Sequence, residues 1–140
     1  MNVVDVTIES HVDEALRSLE DAKKIALEMV GQKAEGYVFA LTPKDTGRLQ
    51  NSITHMVKAA DDEVHIGTNV EYAPYVELGT GIYAEDGNGR QTPWRYQDEK
   101  GVWHTTRGSK PQPFLRPGIT RHLDEYKRII HDVLDSTGDF

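Results

Sequence analysis

The sequence predicts an α+β fold in which a long N-terminal helix and a C-terminal helix packed on the sheet flank a small antiparallel sheet with two hairpins. Two observations lead to this prediction: apolar residues recur at helical spacing at both ends of the chain, and they alternate with polar residues in between. The 140 residues are expected to form a single domain, 1–140, with a β-rich region at 49–106.

The first helix is predicted over residues 10–41. Ser10 is a favourable N-cap, and Thr42-Pro43 ends the pattern because the residue before proline disfavours helical geometry. Gly31 and Gly36 each weaken the second half by about 1 kcal/mol relative to alanine. We therefore expect the helix to bend near Gly31 or to pack against a partner. Its apolar stripe is predicted to comprise Val12, Ala15, Leu16, Leu19, Ala22, Ala26, Met29, Val30, Tyr37 and Leu41.

Two hairpins are predicted between the helices. The first pairs strands at 52–58 and 64–68, with Ile53, His55 and Val57 on one face. The second pairs strands at 92–97 and 102–106 around the four-residue loop 98–101. With that loop length Gln97 would oppose Val102, which places three aromatic side chains on one stabilising face. These hairpin aromatics are Trp94, Tyr96 and Trp103.

The last helix is predicted over residues 116–135, because Arg116-Pro117 puts a proline in the first turn, where it is tolerated. Before the second hairpin, the loop 79–91 carries four glycines within eleven residues. A loop of this composition is expected to be mobile, or to become ordered only against a partner.

Composition excludes several classes of protein. The chain has 23 acidic and 16 basic residues, a net charge of −7, whereas proteins that grip a DNA backbone usually carry a basic excess. No apolar run approaches the roughly 20 residues of a membrane-spanning helix, and the first residues do not resemble a signal peptide. Cysteine is absent, which removes disulfides, thiolate metal sites and cysteine nucleophiles. We expect a protein made in a cytoplasm, without membrane association or sequence-specific nucleic-acid binding.

No catalytic residues, metal site or cofactor are expected, so the chain is not predicted to be an enzyme. His55 and His65 could meet across the first hairpin, but no third ligand is evident. The run 86–89 resembles the start of a calcium loop, yet Arg90 and Gln97 stand where that loop needs oxygen ligands. A tight turn is therefore preferred at 86–89.

A basic and aromatic neighbourhood surrounds the second hairpin. Arg107, Lys110 and Arg116 lie near its aromatic residues in the sequence and could help to stack nucleic-acid bases. The net charge of −7 favours ordinary packing of this hairpin instead.

Three segments carry a resemblance to a known family. The first, 42–53, contains the pattern P-x-D-T-G-x-L-x-x-S-I. The second runs from I-G-T at 66–68 through Y-A-P-Y-V-E-x-G-T at 72–80, and the third is P-F-L-R-P at 113–117. In this order, between two helices, they resemble the small tail-completion or head–tail joining proteins of tailed bacteriophages, over roughly residues 10–135. The segment Ile82–Lys110 is an addition to the shortest family pattern.

The resemblance implies a structural virion protein at the head–tail interface. It would form a homo-oligomeric ring, such as a hexamer or dodecamer, between the phage connector or head-closure proteins and the tail-tube proteins, with a channel through which DNA passes. Alternatives are a tail terminator or a minor capsid protein, and, less favoured, a binding module that uses the aromatic hairpin or a small hydrolase. The family-motif residues expected at interfaces or in fold maintenance are Asp45, Thr46, Gly47, Leu49, Ser52, Tyr72, Tyr75, Val76, Glu77, Gly79, Thr80, Pro113, Phe114, Leu115 and Pro117.

Local roles follow for some of these residues. Asp45-Thr46-Gly47 suits a turn, because short polar side chains can bond to their own backbone. Tyr72, Tyr75 and Val76 are expected to present an interface surface, and the flanking prolines are expected to let Phe114 anchor the last helix. Residues 1–40 and 118–140 carry net charges of −4 and −2. This charge suggests that an acidic helix face lines the channel and repels the phosphate backbone.

Overall fold

The structure is a computed structural model, which describes residues 3–45 and 47–137. It confirms the predicted α+β class, and each hairpin forms its own two-stranded antiparallel sheet. The helices and strands are α1 (Val3–Leu41), α2 (Arg48–Ser52), β1 (Thr54–Lys58), β2 (Glu63–Gly67), α3 (Ala73–Leu78), β3 (Trp94–Gln97), β4 (Trp103–Thr106), α4 (Leu115–Thr120) and α5 (Leu123–Thr137). Single 3₁₀ turns follow β1 and α3, at Ala59–Asp61 and Gly81–Tyr83.

Helix α1 is longer than predicted. It begins at Val3 and runs through Ser10, so the prediction of a cap at Ser10 is wrong. Residues 3–9 contain neither glycine nor proline, and extending an existing helix is far easier than starting one. The predicted end at Leu41 is confirmed, with the Thr42 hydroxyl donating to the Val38 carbonyl at 2.6 Å.

The buried face of α1 follows an i, i+4 row that shares Ala22, Ala26 and Val30 with the predicted stripe, which is confirmed at these three positions. The row consists of Ala22, Ala26, Val30, Ala34 and Val38. The side chain of Val12 lies outside the described part of the chain. Leu16, Leu19, Met29 and Leu41 of the predicted stripe are exposed instead. The difference arises because an i, i+4 row drifts around the helix, and other elements cross α1 along that row. Tyr126 of α5 joins the buried cluster at Val30 and Ala34.

The β1–β2 hairpin packs on α1 at Gly31. The register pairs His55 with Ile66 and Val57 with Val64, so their side chains share the inner face, as predicted for β1. A Cβ atom at Gly31 would lie 2.6 Å from His55 Cδ2 and 2.9 Å from Val64 Cγ2. Gly31 is therefore the point at which the hairpin approaches the helix backbone, and α1 continues through it as helix.

The predicted register of the second hairpin is wrong by one residue. Gln97 pairs with Trp103 and Tyr96 with His104, so Trp103 lies on the face opposite to Tyr96 and Trp94. Gly101, with φ of 80°, is an extra residue in the turn, and the Asp98 N–H donates to the Val102 carbonyl at 2.9 Å. A bulge of this kind shifts the pairing, and a one-residue shift exchanges the two faces.

The predicted last helix is divided into α4 and α5. The division lets the two segments cross α1 at different places. A Cβ atom at Gly118 of α4 would lie 2.8 Å from the Val38 Cα, so this crossing requires glycine. At the division, His122 stacks on Tyr37 of α1 with ring centroids 3.5 Å apart. The Tyr126 hydroxyl donates to the Gly118 carbonyl at 3.2 Å and ties α5 back to α4.

Two carboxylates of α1 hold the imidazole of His55. Its Nε2 lies 2.8 Å from Glu28 Oε1, and its Nδ1 lies 3.3 Å from Glu35 Oε1. The Glu28 carboxylate raises the pKa of His55, with a smaller contribution from Glu35, although burial acts in the opposite direction. The positive form of His55 thus helps to fasten the hairpin to α1.

We expect Gly31→Ala to lower the free energy of unfolding by about 1–2 kcal/mol, because the new methyl group overlaps His55 and Val64. Gly36→Ala is the matched control on the same helix, where nothing lies within 4 Å of an added Cβ. It should stabilise the protein by up to about 1 kcal/mol, the helix-propensity difference. Urea unfolding of both variants measures these changes, and equal stabilisation by both would contradict the close approach.

We expect the stability of the protein to decrease as pH rises above neutrality. The pKa of His55 is raised in the folded state, so its contribution is complete below the ordinary histidine pKa of about 6.5. That contribution is lost as pH rises through the raised pKa. Urea unfolding from pH 6 to pH 9 should show the decrease.

The double variant Glu28→Gln, Glu35→Gln should flatten this part of the pH profile. Asp13→Asn, on the same helix but eighteen residues before Gly31, is the control and should leave it unchanged. A slope that persists without Glu28 and Glu35 would assign the pH dependence to another group.

Candidate functional site

The carboxylate of Glu77 joins two of the three motif segments. Glu77 lies at the end of α3 and is 7% exposed. Its Oε2 accepts hydrogen bonds from the backbone N–H groups of Phe114 at 2.8 Å and Leu115 at 3.0 Å. Its Oε1 accepts from the Arg116 backbone N–H at 3.1 Å and from Arg116 Nε at 2.8 Å.

The Glu77 carboxylate provides hydrogen-bond acceptors for backbone N–H groups at the start of α4. The first N–H groups of a helix have no partner within the helix, and the dipole there favours negative charge. The N-cap residue of α4, Phe114, has no side chain that could bond to these N–H groups. Glu77 supplies the cap from another part of the chain, 37 residues before Phe114.

Arg116 extends the contact to a second carboxylate. Its Nη2 lies 2.8 Å from Glu85 Oε2 and its Nη1 lies 3.2 Å from Glu85 Oε1, a forked arrangement. Burial alone would raise the pKa of Glu77, but Arg116 and the three backbone N–H groups outweigh it and hold that pKa below its usual value. Arg116 likewise lowers the pKa of Glu85. Arg116 is thus committed to the carboxylates of Glu77 and Glu85.

Phe114 brings all three motif segments together in the core. Its side chain is 1% exposed, and its role as the anchor of the last helix stays a prediction. Leu49 and Ile53 of the first segment and Ala73 of the second belong to the same buried cluster. Leu115, Val76 and Tyr72 are half-buried against it. Pro113 is exposed and Pro117 is half-buried, on either side of the anchor.

The first motif segment makes a turn and a short helix. Gly47 adopts φ of 75° immediately before α2, a left-handed conformation that favours glycine. Ser52 donates to the Leu49 carbonyl at 2.6 Å, and its hydroxyl lies 2.5 Å from that of Thr68. Asp45 is exposed. Thr46 lies outside the described residues.

The glycines after α3 form a close backbone crossing. Gly81, with φ of 62°, packs so tightly that a Cβ there would lie 1.9 Å from the Arg107 carbonyl oxygen. The Thr80 N–H donates to the Ser109 carbonyl at 2.9 Å, and the Ile82 N–H donates to that of Arg107 at 3.0 Å. Gly79, at the end of α3, is buried with φ of 80°. These bonds fasten the start of the loop 79–91, whose mobility stays a prediction.

The turn interpretation of residues 86–89 is confirmed. The Asp86 carboxylate accepts the Asn88 N–H at 2.9 Å, and Gly87 adopts φ of 74°. His55 and His65 lie on opposite faces of the first hairpin and do not meet. Within residues 3–45 and 47–137, no three histidine or carboxylate side chains are placed to hold a metal ion.

The segment 90–110 forms a projecting arm built on β3 and β4. In the described part of the chain, these strands pack extensively only on each other. Trp94, at the root, is half-buried, whereas Tyr96 and Trp103 are exposed. Arginine side chains cover two of these rings, with Arg90 5.7 Å from the centre of Trp94 and Arg95 5.2 Å from that of Trp103.

An apolar surface lies beside the root of the arm. Tyr75 is 62% exposed, and Leu78, Ile82 and Tyr83 are also exposed. An open groove of about 460 Å³ separates α3 from Trp94. Of the three residues expected at an interface, Tyr75 is therefore exposed, while Tyr72 and Val76 pack against the core. Among the described residues, no helix combines the length and apolar character needed to cross a membrane.

We expect Glu77→Gln to lower the free energy of unfolding by about 3 kcal/mol. The substitution keeps the volume of the side chain but leaves Arg116 and backbone donors without their charged acceptor. Glu71→Gln is the control, because exposed Glu71 makes its ion pair with Arg48 at the surface and its loss should cost about 0.5 kcal/mol or less. Urea unfolding at pH 7 distinguishes them, and similar small losses for both would show that Glu77 does not hold the segments together.

Comparison with known proteins gives one match. A family model described as "Bacteriophage HK97-gp10, putative tail-component" matches residues 7–79. This range includes α1 from residue 7 onward, the first motif segment, the first hairpin and α3 with Glu77. No curated protein and no solved structure matches the chain.

Proposed function

Because the match covers more than half of its length, the chain belongs to the HK97-gp10-like family of phage proteins, and we propose that it joins the tail to the head as a ring-forming structural protein. The ring would lie between the connector or head-closure proteins and the tail tube, and leave a channel for DNA. The observation that carries the proposal is this family match, together with the order of the three motif segments around one core.

Exposed apolar side chains support the proposal that the chain forms an oligomer. Tyr75 is 62% exposed on α3, and Leu78, which is also exposed, lines the same open groove beside Trp94. Large apolar side chains that cluster on a surface usually mark sites of association. A ring would bury surfaces that one copy leaves open to water.

The charge distribution supports passage of DNA without tight binding. The chain carries a net charge of −7, with −6 on the two end segments 1–40 and 118–140. An acidic lumen would repel phosphates and prevent the DNA from adhering. The proposal needs no catalytic step, metal ion or cofactor, and it places the protein in the virion at the head–tail interface.

A phage lysate produced without this chain tests the proposal. We expect filled heads and complete tails to accumulate as separate particles, counted by electron microscopy. Adding the purified chain to these particles should join them. Addition of the Glu77→Gln variant at a temperature at which it is unfolded should not.

The other outcomes identify the alternatives. Joined and infectious particles in the absence of the chain would contradict a joining role. Tails of irregular length would point to a tail terminator, and missing or malformed heads to a minor capsid protein. An assembled ring with a basic lumen would contradict the proposed role of the acidic residues.

A further inference from the structure

The arm is basic and apolar. Residues 90–110 contain five basic and two acidic residues. Val102 and Trp103 are 52% and 57% exposed near its tip, and Tyr96 is also exposed. A two-stranded hairpin alone in water is at best marginally stable. Another surface would therefore stabilise the arm by covering its apolar side chains. The positive charge of the arm favours an acidic surface for this contact.

The amino-terminal half of α1 has the opposite charge. Residues 3–21 contain six acidic residues and one basic residue. Leu16 and Leu19 in this half of α1 are exposed. They precede Ala22, the first residue of the buried row on the same helix. Leu19 borders a groove with Leu134, close to the end of α5. The 16 helical residues before Leu19 correspond to about 24 Å of α1.

On the premise of the ring proposed above, we propose that the arm of one copy packs against the amino-terminal half of α1 in the next copy. The occupant of each surface is thus a second copy of this chain. The two surfaces match in charge and both expose apolar side chains. Opposite charges arranged this way favour encounter and fix orientation.

The geometry of this contact fits a ring. The two surfaces are different parts of the chain, so each copy would use its arm toward one neighbour and its helix toward the other. Head-to-tail contacts of this kind generate closed rings when the rotation between copies closes, whereas contacts between identical surfaces stop at a dimer. The contact would cover acidic residues of α1 and leave α5 as the acidic helix available to the channel.

Thiol cross-linking tests the contact directly, because the chain contains no cysteine. Leu16→Cys or Leu19→Cys protein is mixed with Val102→Cys or Trp103→Cys protein and treated with a short flexible bismaleimide. We expect mixed dimers to exceed both kinds of identical dimer. Chains that carry Leu16→Cys and Val102→Cys together should give a ladder of covalent oligomers that ends at the copy number of the ring.

Met56→Cys is the matched control, since Met56 is 61% exposed on the outer face of β1 and lies outside both surfaces. If no mixed pair exceeds the yield obtained with Met56→Cys, the proposed contact is wrong. An excess of identical over mixed dimers would overturn it as well, in favour of contacts between like surfaces.

Charge reversal tests the electrostatic part. Arg95→Glu with Lys100→Glu in the Val102→Cys chain should lower the mixed yield about fivefold at low salt. Asp13→Lys with Glu14→Lys in the Leu16→Cys chain should restore it. Lys127→Glu with Arg128→Glu, exposed on α5, is the control and should leave the yield unchanged. A yield insensitive to the first pair would overturn the charge match.

The joining assay separates this contact from the function on which it rests. If the chain joins heads to tails but no mixed cross-link forms, the ring stands and the assigned contact is wrong. If mixed cross-links form but particles join without the chain, the contact stands and the joining role is wrong.

Discussion

The fold depends on one buried carboxylate that is fully satisfied by donors from a distant segment. Glu77 accepts three backbone N–H groups and the Arg116 side chain. A buried charge is tolerated only when it is paired and hydrogen-bonded, so this contact fixes both α3 and the start of α4. Phe114 is placed in the core by the same contact, and α4 is thereby directed across α1 at Gly118. The path of the chain after the arm therefore follows from Glu77.

The sequence alone predicted features that depend on local chemistry. The end of α1 follows from Thr42-Pro43, and the inner face of β1 follows from alternation. The same reasoning missed α2 and α3, which are five and six residues long and too short to show a helical period. It also placed Trp103 on the wrong face, because the bulge at Gly101 shifts the pairing by one residue.

Glycine shows why part of the site could not be predicted. Propensity marks Gly31 as a weak point of the helix, whereas the structure uses it for the approach of His55 and Val64. Gly36, five residues later on the same helix, has open space around it. Gly31 and Gly36 differ only in the residues that lie near them in the folded structure. The same holds for Glu85, whose pairing with Arg116 joins residues 31 positions apart and leaves no local signal.

The backbone crossing at Gly81 has a consequence for how such a chain can vary. The segments entering and leaving the arm are bonded to each other at Thr80–Ser109 and Ile82–Arg107, so the arm begins and ends at one place on the body. A segment with adjacent ends can be lengthened, shortened or exchanged with little disturbance of the domain that carries it. The arm can therefore change in length or sequence while the body built around Glu77 keeps its packing.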